Sequence, residues 1–148
     1  MRKFIIPVIN LVGLVLSAVI FGLGANSAVY FGSQSSNGVG NWYQLVWGLS
    51  NEPAYFGQVG FWLFIAAVVG LLLTMIPFKH RRFCLLFVGA LFIGAGVMML
   101  LAPDSIYNGV NADLYHKTDS LIAMAVLAFV AGGLEVIGSC VEFLPEKK

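Results

Sequence analysis

The sequence predicts an all-α membrane protein with four transmembrane helices, both termini cytoplasmic and a long first outer loop. Three observations carry that prediction. The 148 residues are 59% hydrophobic and only 10% charged, whereas about 25% of an ordinary soluble domain is charged. Four apolar runs, about 4–25, 56–78, 83–102 and 120–141, each reach the roughly 20 residues that a helix needs to cross a bilayer's hydrocarbon. Between the second and third runs lies a short basic knot, Lys79, His80, Arg81 and Arg82. Lys and Arg in short loops mark the cytoplasmic side, so this hairpin sets the topology of the chain. Seven of the eight Lys and Arg residues (Arg2, Lys3, Lys79, Arg81, Arg82, Lys147 and Lys148) fall on the side so assigned, and Lys117 falls outside. The chain reads as one domain, residues 1–148, placed in the plasma membrane.

The first run follows Met1-Arg2-Lys3 and carries Pro7 in its first turn, where a missing N–H is tolerated. Ala25-Asn26-Ser27 looks like a small-residue cleavage site. The apolar stretch is nonetheless longer than the ~7 to 15 residues of a signal sequence, which favours a retained anchor.

The outer loop, about 26–55, begins with a flexible Gly/Ser-rich stretch and then turns aromatic. In Asn41 to Ser50, the residues Trp42, Leu45, Val46 and Leu49 recur at i, i+3, i+4 and i+7, one face of a short helix that Asn41 would cap. With Trp47, this segment reads as an interfacial anchor at headgroup level, or as a lid or docking element. Ten residues of pattern also fit a strand. Four spans with both ends inside, a short second outer loop and Trp47-Gly48-Leu49 in a long first one resemble the claudin-type tetraspan plan. Such a first loop carries paired cysteines that are absent here, so no function or loop fold is carried over.

The third run stops at Pro103-Asp104, and a polar loop leads to the fourth, which Glu135 interrupts. All five tyrosines and all three tryptophans lie at or beyond the outer half, a one-sided aromatic belt.

Glu135 is the one ionisable residue inside a span, and an intramembrane acid is a functional candidate by default. Ala128, Gly132, Glu135 and Ser139 fall at 0, 4, 7 and 11, one helical stripe whose small members let another helix approach. Asn10 lies at a similar depth in the first span and Thr74 slightly shallower in the second. Glu135, Asn10, Thr74 and Ser139 therefore form the candidate polar cluster, with Arg81 or Arg82 placed to snorkel towards it. It reads as a buried contact between helices or as a proton or cation relay. The relay lacks a second intramembrane acid or histidine.

Small-residue pairs recur as Gly13 with Ser17, Ala18 with Gly22 and Ala90 with Gly94, serving either bundle packing or self-association. Cys84 and Cys140 form no CxxC pair, which argues against a disulfide oxidoreductase and a multi-cysteine zinc site. His116 with Asp113 and Asp119 reads as a solvated polar loop. Ser17 and Ser139 have no histidine at membrane depth, so nucleophilic catalysis has no base. A net charge of +1 with dispersed cations offers nothing to nucleic acid. The expected function is that of a non-catalytic accessory, structural or interaction subunit, without cofactor or metal. Its partners are the lipid bilayer and a second copy or a larger membrane complex. The alternative is a small proton- or cation-coupled transporter using Glu135.

Overall fold

A computed structural model describes residues 2–26, 30–32, 38–47, 55–102 and 115–143. In chain order the elements are α1 (Arg2–Asn26), β1 (Tyr30–Gly32), β2 (Gly38–Gly40), α2 (Trp42–Trp47), α3 (Tyr55–Thr74), α4 (Arg81–Leu101), β3 (Tyr115–Lys117) and α5 (Asp119–Phe143). Four of these helices, α1, α3, α4 and α5, are long and apolar enough to cross a membrane. The protein is an integral membrane protein. Its spanning part is wholly helical, as lipid requires of a chain whose backbone groups find no water to bond.

The boundaries have local causes. α3 ends at Thr74, four residues short of the apolar run, because Pro77 excludes the residue before it from helical geometry. The last turn tightens instead, with Met75 N donating to Leu72 O and Ile76 N to Leu73 O. α4 begins at Arg81, inside the basic knot, with Cys84 N bonded to His80 O. α1 begins at Arg2, which moves Pro7 into the second turn. α5 is entered through Thr118, whose hydroxyl accepts from Leu121 N at 3.3 Å, an N-cap that Asp119 reinforces by its charge in the first turn.

α4 and α5 form the most extensive helix pair; α5 also packs against α1, and α4 against α3. Without a hydrophobic drive between helices in lipid, close backbone approach does this work. A Cβ added to Gly132 would lie 2.7 Å from Gly89 O, one added to Gly89 would lie 2.9 Å from Gly132 O, and one added to Gly96 would lie 3.1 Å from Ala125 O. α4 and α5 thus touch backbone to backbone. The small pairs divide by direction. Gly13 and Ser17 are buried in the bundle, Ala18 and Ala90 are exposed, and a Cβ on Gly22 would meet nothing within 4 Å among the described residues.

At the end of the bundle away from the basic hairpin, an aromatic column fills the space between helices. Phe64 stands 5.1 Å from Phe21, 5.8 Å from Phe92 and 5.6 Å from Trp42, centroid to centroid and edge to face. β1 pairs antiparallel with β2 and with β3, giving a three-stranded sheet in the order β2-β1-β3. This sheet, built from the α1–α3 and α4–α5 connections, is an addition to the expected plan. In the β1–β3 register, Tyr30 faces Lys117, Phe31 faces His116 and Gly32 faces Tyr115.

Candidate functional site

The α5 stripe is buried throughout: Ala128, Gly132, Glu135 and Ser139 all face the bundle. Glu135 is 0% exposed. A methyl group on Gly13 would sit 3.1 Å from Glu135 Oε1 and 3.2 Å from Leu71 Cδ2, so the missing side chain on α1 is what leaves the carboxylate room. It lies where α1, α3 and α5 meet.

The neighbouring polar groups bond among themselves. Asn10 Nδ2 donates to Thr74 Oγ1 at 3.0 Å, and the Thr74 hydroxyl donates to Leu71 O at 2.8 Å. Because that hydroxyl's hydrogen is committed, Thr74 Oγ1 can only accept from Asn10, which fixes the amide's orientation. Ser17 donates to Gly13 O at 2.8 Å and Ser139 to Arg82 O at 2.7 Å. All three hydroxyls are therefore spent on backbone carbonyls. Both Glu135 oxygens and Asn10 Oδ1 are buried with no hydrogen-bond partner among the described residues. The four residues are brought to neighbouring elements as two separate bonded groups with a lone acid, rather than as one network.

The basic hairpin explains why neither Arg81 nor Arg82 reaches the acid. Arg81 is held by Glu142 on α5, with Nε 2.8 Å from Oε1 and Nη2 on the same oxygen. The Arg82 guanidinium lies 5.0 Å from the centre of the Phe83 ring and 4.7 Å from that of Phe143, which themselves meet edge to face. Cation–π contacts of this kind contribute about 0.5–1 kcal/mol each. Together they clamp the start of α4 to the end of α5, with Lys79 and His80 exposed in the turn before them. The signal for this clamp was present in the sequence as Glu142 and Phe143 opposite two arginines, but no helical spacing links them.

In the outer segment, Asn41 caps α2 as its sequence suggests, and Gln44 returns the bond. Gln44 N donates to Asn41 Oδ1 and Asn41 N to Gln44 Oε1, each at 3.0 Å, a capping box. Asn41 Nδ2 also donates to Ala25 O at the end of α1. Trp42 and Val46 are fully buried against the ends of the spanning helices, and Trp47 is exposed, edge-on to Phe61 and Trp62. A Cβ on Gly24 would lie 2.7 Å from the Trp42 ring. Leu49 and the Leu45 side chain lie outside the described residues, as does Asp113 of the second outer loop.

Among the described residues, no three His, Cys, Asp or Glu side chains gather as a metal-binding group. Cys84 and Cys140 are free thiols. No protein-family model, curated protein or solved structure matches the chain.

Proposed function

We propose that the protein is a non-catalytic interaction subunit of a membrane assembly, docking another transmembrane helix on the outward face of α1. The observation that supports this reading is the direction of Ala18 and Gly22. They have the spacing that brings membrane helices into close contact, yet they face away from the bundle, with open space at Gly22 among the described residues. Leu11, Val15, Ala18 and Gly22 form one exposed stripe. It has the same 0, 4, 7, 11 spacing as the stripe that α5 buries. A second copy of the chain is the occupant to test first. Gly22→Leu should leave the melting temperature in detergent unchanged while abolishing crosslinked dimers or co-purified partners in mild detergent. An unchanged association state in Gly22→Leu and Ala18→Leu would end the proposal.

In the membrane we place the hairpin and both termini on the cytoplasmic side, on the strength of the cation bias. Cys84 and Cys140 then lie at the inner ends of α4 and α5. An impermeant thiol reagent added to intact cells should leave both unmodified; modification from outside reverses the topology.

One observation favours a second reading, a proton- or cation-coupled role for Glu135. An enclosed carboxylate without a partner is a group that a proton or a monovalent cation would complete. The pairing of Asn10 with Thr74 sharpens the test, because replacing Glu135 strands neither of them. Removing a buried acid whose oxygens have no partner among the described residues relieves the cost of leaving a polar group unsatisfied, so Glu135→Leu should fold with at least wild-type yield. If the acid is structural, Gln and Leu variants differ little in liposomes. Proton- or sodium-driven flux present in wild type and lost in Glu135→Gln at normal yield would establish the second reading over the first.

A further inference from the structure

Between α3 and α4, close to the basic hairpin, the bundle surface carries a groove of about 420 Å³. Its floor is the contact of Gly70 with Val88, where a Cβ on Gly70 would come within 2.6 Å of a Val88 methyl. Its walls are the exposed side chains of Leu73 and Phe87, and Phe78 bounds it at the hairpin. The lining is apolar almost throughout, with the Cys84 thiol its softest polar group.

The residues around its hairpin end are not equivalent. Arg81 is held by Glu142 and Arg82 is stacked on two phenylalanine rings. Lys79, directly after Phe78, is exposed. The groove thus offers an apolar channel that ends at Phe78, the residue before an exposed lysine. Basic sites beside grooves between transmembrane helices take the phosphates of acidic lipids.

We propose that this groove binds one acyl chain of an acidic phospholipid, with the lipid phosphate drawn to Lys79. The lipid comes from the leaflet that faces the hairpin. The groove lies on α3 and α4, so it is independent of the outward face of α1. It requires no particular partner protein.

Cys84 and Cys140 make the test internal to the chain. Cys84 lines the groove, whereas Cys140 is exposed on α5. The purified full chain is reconstituted into phosphatidylcholine vesicles with or without phosphatidylglycerol, and maleimide labelling of each cysteine is followed by mass spectrometry. Phosphatidylglycerol should slow Cys84 labelling about fivefold relative to Cys140, the factor expected of about 1 kcal/mol for one cation at an anionic surface. Lys79→Gln should remove that difference while leaving Cys140 labelling and the melting temperature unchanged. Ala66→Phe, at the groove's lining, should release the phosphatidylglycerol that wild type retains in native mass spectrometry. Equal Cys84 labelling in the two vesicle types, or a difference that survives Lys79→Gln, would overturn the proposal.

Discussion

Gly132→Ile is expected to leave no monodisperse protein in detergent. The first atom beyond Cα would lie 2.7 Å from Gly89 O and 3.2 Å from Ile93 N, and backbone cannot move aside as a side-chain end can. α4 and α5 would have to separate along their whole line of contact, losing the van der Waals packing that holds membrane helices together. Overpacking of a well-packed core typically costs about 1–3 kcal/mol; against backbone on both sides the cost should exceed that range. Gly132→Ala should fold with a lowered melting temperature. Gly133→Ile is the control, since a Cβ there meets nothing within 4 Å among the described residues. Size-exclusion profiles and circular-dichroism melts of the three variants decide it. A wild-type melt for Gly132→Ile would refute the backbone contact between α4 and α5.

Trp42→Ala should be the most damaging change in the outer segment, lowering stability by about 3–5 kcal/mol, the usual range for deleting a buried tryptophan. The ring is 0% exposed and touches Phe21, Phe61 and Phe64. Its indole N–H has no partner among the described residues, so Trp42→Phe gives up packing volume but also removes a buried unsatisfied donor. Phe should therefore recover most of the loss. Trp47→Ala, at a position 58% exposed, should change stability by no more than about 0.5 kcal/mol. Equal melts for Trp42→Ala and Trp47→Ala would show that α2 contributes nothing to the bundle.

The four spans were legible because length and apolarity alone define them, and the Glu135 stripe because 3.6-residue periodicity puts its members on one face. The end of α3 was less so. An apolar count runs straight through Met75 to Phe78, and only the backbone restriction imposed by Pro77 stops the helix. The division between Gly13 with Ser17, turned inward, and Ala18 with Gly22, turned outward, was beyond reach for another reason: all four share one spacing rule, and which face is inside depends on neighbours supplied by α3 and α5. The clamp at Arg81 and Glu142 and the contact of Gly89 with Gly132 are likewise non-local. Three-residue strands such as Gly38-Val39-Gly40 are too short for alternation to show, so the sheet left no trace in hydropathy.

That sheet imposes a schedule on synthesis. Phe31 in β1 pairs with His116 in β3, so the first strand's second neighbour emerges roughly 85 residues later, after α3 and α4 have been made. At about 5–20 residues per second, β1 waits some 4–17 s with one edge unpaired. Closure of the sheet then coincides with arrival of α5, the helix that completes the bundle. A nascent chain truncated before Tyr115 exposes a strand edge that the finished protein covers, the kind of edge that pairs with other chains.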